Sequence, residues 1–291
     1  MTPQPASDPT PPTHADGRER RRGAQHVFVV DRAERLSPHL VRVHLGGPAF
    51  SDFVAAADPD RLAATDAYVK LLLARPGTGL TPPFDLDALR TELPSELLPA
   101  RRTYTVRDLD RAAGTIAIDF VVHGDEGLAG PWAAGARPGD LLALSGPGGT
   151  YAPADDDREH LLLGDDSAIP AIAATLEAMA ADARGLVLLE VEGGADELAL
   201  TTPEGVALRW IHRAAGGSLA EEVARLPAPA APVQVFAHGE RGAMKAIRAT
   251  LQDGWGLERG ALSLSAYWAL GRAEDRFQAE KREPVGTIFT D

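Results

Sequence analysis

One short segment combines the residue types that hold a phosphorylated aromatic cofactor. The segment RRTYTVR, Arg101 to Arg107, has the character of a β-strand, whose alternation places Arg102 and Tyr104 on one face. A guanidinium can grip a pyrophosphate with two hydrogen bonds, and a phenol ring can pack against a ring system. The pair therefore suits a flavin dinucleotide, with the backbone of Thr105 and Val106 meeting the polar edge of the flavin. A strand with a surface arginine and a core tyrosine is the alternative that the residues leave open.

Two further segments could approach a ligand. His123 ends the strand TIAIDFVVH, and the glycine-rich HGDEGLAG that begins there lets the backbone come close to a bound molecule. The segment GPGG, residues 146–149, offers backbone amides to an anion. Both have plainer interpretations, because a histidine often ends a strand by bonding to a turn, and GPGG alone is often only a turn.

The elements that must position these residues fall into two groups. From Gln25 to about Tyr151 the apolar segments are short and separated by Gly, Pro and Asp, which predicts an antiparallel barrel or sandwich. Beyond the acidic run at 155–157, strands such as HLLLG alternate with helices such as AIPAIAATLEAMAADA. That alternation predicts a doubly wound parallel sheet. We therefore expect a disordered arm at 1–24, a β-barrel at 25–155, an α/β domain at 156–271 and a C-terminal extension at 272–291.

Composition excludes several classes of function. Asp and Glu total 42 against 29 for Lys and Arg, and the resulting net charge of −13 opposes binding to nucleic acid. No apolar run is long enough to span a bilayer, so we expect no membrane insertion. The absence of cysteine excludes disulfides and thiolate metal sites, so any redox chemistry requires a separate cofactor. Without an apolar signal segment in the first residues, we expect a cytoplasmic protein.

Six segments in order resemble one known family. They are RRTYTVR, IDFVVHGDEGLAGPWA, PGDLLALSGPGG, LLLGDDSAIPAIAATLE, HGERGAMKAIR and AYWALG. Over roughly 25–271 the chain is similar to the siderophore-interacting proteins, which are NAD(P)H-dependent ferric-siderophore reductases. The resemblance implies a ferredoxin-reductase-like architecture, with a barrel that binds FAD non-covalently and an NAD(P)H-binding α/β domain. It also implies reduction of an Fe(III)-siderophore to Fe(II), which releases iron in the cytoplasm.

The resemblance also implies which residues hold the cofactors. It assigns to the flavin Arg102, Tyr104, Thr105, Val106, His123, Gly130, Trp132, Ala133, Gly146, Gly148, Gly149 and Trp268, and to the nicotinamide side Asp165, Asp166, Ser167 and Ala168. Trp268 could instead form a plain core pair with its neighbour.

The nicotinamide-side segment has a physical rationale of its own. It follows a strand, Ser167 can cap the next helix, and Pro170 falls in the first turn, where a missing N–H costs little. The helix amides can then face a diphosphate although the chain has no GxGxxG fingerprint. An ordinary N-capping cluster is the alternative. Asp166 stands where the family more often has Glu, and its side chain has the shorter reach.

Basic residues are the candidates for binding an anionic iron chelate. We expect Lys70, Lys245 and Arg248 to form a basic pocket near the flavin ring. Helical spacing places Arg241 on one face with Lys245 and Arg248; this face could bind the NAD(P)H phosphate instead of the chelate, and Arg241 alone could equally belong to a solvated surface. The chain departs from the family pattern at three further positions, Tyr68, His238 and Ala269. No catalytic acid or base and no protein ligand for a metal is expected, because the siderophore already holds the iron.

Several alternatives remain open at this stage. The protein could be a flavin reductase that passes electrons to a partner such as a ferredoxin, or a siderophore-binding protein without reductase turnover. The sequence does not distinguish NADH from NADPH. We expect a monomer whose main partner is a ferric siderophore.

Overall fold

The computed structural model describes residues 24–124, 127–281 and 283–289, so the predicted arm lies outside the described residues except for residue 24. The strands are β1 (His26–Ser37), β2 (Leu40–Gly46), β3 (Tyr68–Leu73), β4 (Ala100–Thr105), β5 (Asp108–Asp110), β6 (Thr115–Val121), β7 (Leu141–Gly148), β8 (Glu159–Asp165), β9 (Arg184–Val191), β10 (Gly205–His212), β11 (Val233–Glu240) and β12 (Leu262–Trp268). The helices are α1 (Ala49–Ala56), α2 (Pro59–Ala63), α3 (Leu86–Glu92), α4 (Ala129–Gly135), α5 (Ile169–Ala178), α6 (Leu219–Arg225), α7 (Arg241–Arg248) and α8 (Glu274–Glu280).

The first seven strands form an antiparallel sheet that curls into a barrel. Their order is β4-β3-β7-β1-β2-β6-β5, so the two edge strands are consecutive in the chain. The sheet must therefore bend until its edges approach each other. Tyr104 on β4 meets Phe120 on β6 with ring centroids 4.5 Å apart, and Phe28, Phe53 and Ile118 are fully buried in the interior. The barrel half of the predicted fold class is confirmed.

The remaining strands form a parallel sheet. Their order is β10-β9-β8-β11-β12, and every neighbouring pair is parallel. α5 follows β8 and α7 follows β11. In a sheet of this order the first strand, β8, lies in the centre and its carboxyl end faces the crevice where such sheets bind ligands. The predicted doubly wound domain is confirmed, and Asp165 and Asp166 lie at that crevice.

Two helical segments differ from expectation. The predicted helix after β8 extends to Ala183, but α5 ends at Ala178, because Met179 has extended backbone and the chain then turns. Between β2 and β3 the chain forms α1 and α2, which strand-like patterning did not indicate. Phe53 of α1 is fully buried against Phe28 of the barrel, so α1 belongs to the barrel core.

The C-terminal extension packs against both halves of the molecule. In α8, Glu280 accepts hydrogen bonds from Arg241 at 2.8 Å, Arg276 at 2.9 Å and Arg272 at 3.0 Å. Phe277, 1% exposed, adds an apolar anchor on the α/β side. At the other end of α8, Asp275 reaches the barrel. The helix thus bridges the two domains.

Further polar contacts join the two domains directly. Asp196, 4% exposed, accepts hydrogen bonds from Ser37 Oγ at 2.9 Å and from the backbone N–H of His39 at 3.1 Å. Thr175 on α5 donates to Thr65 at 2.8 Å across the same interface. Within the described residues, no helix combines the length and apolar composition of a membrane span.

Candidate functional site

A cavity of about 530 Å³ lies where the barrel, the parallel sheet and α8 meet. This volume falls within the range of about 300–1,000 Å³ that is usual for small-molecule sites. Its walls come from distant parts of the chain, namely Tyr68, Lys70, Arg102, Thr103, Tyr104, Thr105, Asp119, Val121, His123, Asp165, Asp166, Ser167, Pro170, Glu192, Arg213, Ser265, Tyr267, Trp268, Glu274, Gln278 and Lys281. Many residues predicted for cofactor binding are among them.

Arg102 presents part of its guanidinium to the cavity. Its side chain is 10% exposed, and Nη1 donates to Asp275 of α8 at 2.6 Å and to the carbonyl of Arg101 at 2.9 Å. Asp275 also pairs with Arg75 at 2.7 Å. Both contacts of Arg102 within the described residues use Nη1, so Nε and Nη2 are available to a ligand. This donor geometry fits an oxygen-rich anion such as a pyrophosphate.

Tyr104 forms an aromatic wall of the cavity. Its ring packs on Phe120, which in turn lies 5.6 Å from the ring of Trp132 on α4. Burial raises the pKa of the Tyr104 hydroxyl, so the side chain stays neutral. Trp132 supports this wall from behind and does not line the cavity itself.

The two residues after Tyr104 have different surroundings. Thr105 lines the cavity, whereas Val106 lies in the barrel core and donates its N–H to the carbonyl of Ala67 at 2.7 Å. The N–H of Val106 is therefore already paired within the protein, and a backbone contact of this segment with the flavin edge stays a prediction. The alternation of side chains between the two faces of a strand does not extend to Val106, because β4 ends at Thr105.

Asp165 joins the carboxyl ends of three strands. One oxygen accepts from the N–H of Ser167 at 2.9 Å and its hydroxyl at 2.5 Å. The other accepts from the N–H of Glu240 and from Trp268 Nε1, both at 2.8 Å. Burial raises the pKa of this carboxyl, while the four donors oppose that shift. Both carboxylate oxygens of Asp165 are thus occupied by protein donors. The hydrogen bond from Trp268 Nε1 to Asp165 holds the indole in place on the cavity wall.

The start of α5 differs in detail from the prediction. The N-cap residue is Ala168, and the Ser167 hydroxyl bonds to Asp165 instead of capping the helix. Ala168 is fully buried, and its N–H donates to the carbonyl of Asp165 at 2.9 Å. Pro170 does lie in the first turn, as expected. Ser167 lines the cavity and Ala168 does not.

The GPGG segment lies against β3 and does not line the cavity. A Cβ on Gly149 would lie 2.9 Å from Cα of Ala67, and its φ of +136° favours glycine. Gly148 similarly faces the ring of Tyr68, and Gly146 faces the backbone of Val69. Close packing of β7 on β3 therefore explains these glycines without a ligand.

A carboxylate holds the backbone that follows this segment. Oδ1 of Asp66 accepts the N–H groups of Thr150 and Tyr151, both at 2.8 Å. Tyr151 packs on Phe236 of the α/β domain with centroids 4.8 Å apart. These amides are occupied by protein, and an FAD phosphate near GPGG remains a prediction.

The residues around α4 divide in the same way. His123 lines the cavity, and its ring lies 6.0 Å from that of His39. Gly130 allows α4 to approach β6, since a Cβ there would lie 3.0 Å from the carbonyl oxygen of Val121. Ala133 is buried in the barrel core. Gly130 and Ala133 therefore place the helix, and His123 is the residue that a ligand could contact.

Of the three predicted basic residues, only Lys70 lines the cavity. Its ammonium donates to Thr103 at 2.6 Å, and desolvation followed by repulsion from Lys281 and then from Arg101 lowers its pKa. Lys281, at the end of α8, is the second lysine of the cavity wall, and desolvation also lowers its pKa.

Lys245 and Arg248 lie outside the cavity wall. Lys245 donates to the carbonyl of Val285 at 2.7 Å, and Arg248 pairs with Asp253 at 3.1 Å. The expectation of one pocket formed with Lys70 is therefore not met, because Lys245 and Arg248 are held by partners that do not line the cavity.

His238 is buried beneath the cavity. Nδ1 lies 2.8 Å from the hydroxyl of Tyr267 and Nε2 lies 3.1 Å from Ser263, while Phe236 stacks on the ring at 3.9 Å. Burial lowers the pKa of His238 to about 3, with a smaller contribution from Lys281. The imidazole is therefore neutral at physiological pH and supports Tyr267, which lines the cavity.

We expect His238→Gln to reduce the loss of stability in mild acid. Below its pKa of about 6.5, histidine is protonated in the unfolded protein, whereas His238 in the folded protein stays neutral down to about pH 3. The contribution of neutral His238 to the free energy of unfolding is therefore complete above pH 6.5 and decreases as the pH falls toward 3. Between pH 7 and 5 the wild type should lose about 2 kcal/mol more unfolding free energy than the variant. Denaturant titrations at both pH values measure this difference. Equal losses in the two proteins would contradict it.

Several cavity residues carry no clear signal in the sequence. Glu192 and Arg213 follow β9 and β10, Glu274 and Gln278 belong to α8, and Lys281 directly follows α8. The position of Glu192 could have been inferred from the tendency of a nucleotide-binding sheet to place an acidic residue after its second strand. The residues of α8 could not, because no local pattern indicates which surface a terminal helix will cover.

Two family models together cover most of the chain. Residues 29–151 match the siderophore-interacting FAD-binding domain, and residues 157–271 match the siderophore-interacting protein model. An uncharacterised protein of Mycobacterium tuberculosis is 41% identical over an alignment of 278 positions, which covers 89% of this chain and 95% of that protein. The ferric vibriobactin reductase ViuB of Vibrio cholerae is 35% identical over 196 residues, 66% of this chain and 72% of the reductase.

Solved structures agree with these matches. The siderophore-interacting protein SipS from Aeromonas hydrophila superposes with a TM-score of 0.74 at 31% identity, covering 90% of this chain and 98% of that one. A ferredoxin reductase of carbazole 1,9a-dioxygenase matches with a TM-score of 0.60 at 14% identity, over 84% of this chain and 69% of that one, which shows the ferredoxin-reductase-like fold alone. Because family models match both halves of the chain and the cavity lies between those halves, the chain belongs to the siderophore-interacting protein family and has a ferredoxin-reductase-like fold.

Proposed function

We propose that this protein binds FAD in the cavity and uses NAD(P)H to reduce a ferric siderophore to its Fe(II) form. The observation that carries the proposal is that one cavity is lined both by β4 of the barrel and by the carboxyl ends of the parallel sheet. A flavin held on β4 would then lie beside the crevice where a sheet of this order binds a nucleotide. Similarity to a ferric vibriobactin reductase supports the choice of substrate class.

The residues present suit FAD. Nε and Nη2 of Arg102, which have no partner among the described residues, can meet a pyrophosphate, and Tyr104 and Trp268 offer aromatic surfaces to a ring. The Thr105 hydroxyl and the lone pairs of Ser167 Oγ, whose proton is donated to Asp165, supply polar groups for the ring edge. Bound FAD would supply the conversion of a two-electron hydride donor into one-electron steps toward iron.

The protein's own contribution is positioning. Phe120 holds the ring of Tyr104, and Asp165 holds that of Trp268, so neither wall has to reorganise when a planar group binds. Burial keeps Tyr104 neutral, so this wall of the cavity carries no charge of its own. That no catalytic acid or base is required stays a prediction.

Lys70 and Lys281 are the residues that we assign to the chelate. They lie close enough for the charge of Lys281 to lower the pKa of Lys70, and both line the cavity. Two neighbouring ammonium groups attract an anionic chelate even on a molecule whose net charge is −13. The siderophore's oxygen ligands hold Fe(III) and bind Fe(II) less strongly, so reduction weakens the complex without a protein ligand for the metal.

The test has two stages. The purified protein should take up FAD and show a flavin absorption spectrum, which NADH or NADPH should bleach without oxygen. Adding a ferric siderophore should then restore the spectrum and deliver Fe(II) to a trap, whereas the gallium-loaded siderophore should do neither. A protein that takes up no FAD would refute the proposal, and turnover with a ferredoxin but with no ferric chelate would favour the protein-partner alternative.

A further inference from the structure

Three carboxylates surround one arginine at the nucleotide side of the cavity. Arg213, just after β10, pairs with Asp166 at 2.5 Å, with Glu192 at 3.3 Å and with Glu190 at 3.5 Å. These residues come from the carboxyl ends of three neighbouring strands, β8, β9 and β10. With all groups charged, the cluster carries a net negative charge.

The cluster lies where the fold binds the ribose of a nucleotide. In doubly wound sheets an acidic residue at the end of the second strand accepts a hydrogen bond from the ribose 2′-hydroxyl, whereas a nearby arginine accommodates a 2′-phosphate. The second strand of this sheet is β9, which ends at Val191, and Glu192 follows it directly. Glu192 also lines the cavity together with Arg213 and Asp166.

Glu192 is the carboxylate that is free to meet a ribose. Glu190 accepts the N–H of Leu219 at 2.6 Å, and Asp166 is 7% exposed against Arg213. The side chain of Glu192 is 49% exposed, and the one ion pair it makes within the described part of the chain is with Nε of Arg213 at 3.3 Å. It can therefore turn one oxygen toward a ligand while the guanidinium remains paired.

The basic residues of α7 do not offset the negative charge of the cluster around Arg213. Arg241 is buried against Glu280 at 2.8 Å, Lys245 bonds to the carbonyl of Val285, and Arg248 pairs with Asp253. Within the described ranges, Arg213 is the basic residue at the ends of β9 and β10 that lines the cavity, and its guanidinium is shared among carboxylates. A 2′-phosphate placed here would meet net negative charge.

We propose that this cavity selects NADH over NADPH, with Glu192 as the specificity-determining residue. The inference rests on the proposed function, since it presumes that a nicotinamide nucleotide binds at the ends of β8 to β10. Glu192 accepts a hydrogen bond from the 2′-hydroxyl of NADH. It repels the dianionic phosphate that replaces this hydroxyl in NADPH.

Calorimetric titration of the FAD-loaded protein with ADP-ribose and with 2′-phospho-ADP-ribose tests the inference without turnover. At low salt, we expect ADP-ribose to bind at least 30-fold more tightly than 2′-phospho-ADP-ribose. Glu192→Gln should reduce this affinity ratio about tenfold, because the phosphorylated ligand then binds more tightly. The matched control is Glu197→Gln, which removes a carboxylate that pairs with His212 at 2.8 Å on the same side of the sheet but does not line the cavity; it should leave the ratio unchanged.

The outcomes separate this inference from the proposed function. Equal affinities for the two ligands, or a ratio that Glu192→Gln and Glu197→Gln change alike, would overturn the selectivity and leave the reductase intact. Failure of both ligands to bind would overturn the inference together with the nucleotide part of the proposed function. FAD uptake, read from the absorption spectrum before each titration, reports on the flavin part separately.

Discussion

Replacing Arg102 by Ala should weaken FAD binding about 100-fold. The side chain is 10% exposed, and its Nε and Nη2 have no partner within the described residues, so a pyrophosphate would gain charge-assisted hydrogen bonds in a partly desolvated site. Truncating one partner of such a pair costs about 2–5 kcal/mol, and about 2.7 kcal/mol corresponds to a factor of 100 in affinity. Fluorescence titration of the apoprotein with FAD measures the change.

The surrounding ion pairs provide matched controls. Arg75→Ala removes the other arginine that pairs with Asp275, yet Arg75 does not line the cavity, so FAD affinity should change less than threefold. Asp275→Ala frees Nη1 of Arg102 and should leave FAD affinity equal or higher. If Arg75→Ala and Arg102→Ala weakened FAD equally, the effect would come from loss of the contact with α8 and not from a phosphate site.

The second large effect is expected from reversing the charge of both cavity lysines. In Lys70→Glu combined with Lys281→Glu, kcat/KM for an anionic ferric siderophore should fall about 100-fold, because two attractive charges become repulsive. The loss should shrink as salt is raised. The rate at which the nicotinamide nucleotide bleaches the flavin should change less than threefold, since the charged cluster around Arg213 that we assign to the nucleotide lies at the ends of β8 to β10.

A second double variant distinguishes the structural assignment from the sequence-based one. Lys245→Glu combined with Arg248→Glu changes the net charge equally, but both residues lie on α7 outside the cavity. It should lower kcat/KM less than threefold. A similar loss in both double variants would indicate general attraction by the protein surface and would contradict the assignment to Lys70 and Lys281.

How much of the site could be predicted depends on how local its signals are. The cofactor segment on β4 could be predicted, because strand alternation places Arg102 and Tyr104 on one face, and both residues line the cavity. The turn after β8 could also be predicted from a local pattern, because Asp165 and Asp166 lie where a strand ends and a helix follows. The role of Asp165 could not be predicted, because it depends on Trp268, which approaches only when β12 joins the sheet.

Residue types alone could not indicate which glycines and cations contact a ligand. GPGG has the composition of an anion site, yet its glycines make room for β3, a partner nearly 80 residues earlier in the chain. The spacing of Lys245 and Arg248 correctly predicts a helix, but helical periodicity does not say which side of the sheet that helix will cover. Lys281 is the lysine that approaches Lys70, and only the docking of α8 brings them together.

The bridging position of α8 has a consequence for biosynthesis. β4 leaves the ribosome roughly 180 residues before Lys281, and at about 5–20 residues per second this interval lasts about 10–35 s. Throughout that time the barrel lacks the wall that Glu274, Gln278 and Lys281 supply. A nascent chain would therefore hold a flavin only loosely, and firm capture should follow the emergence of α8 and Lys281 from the ribosome.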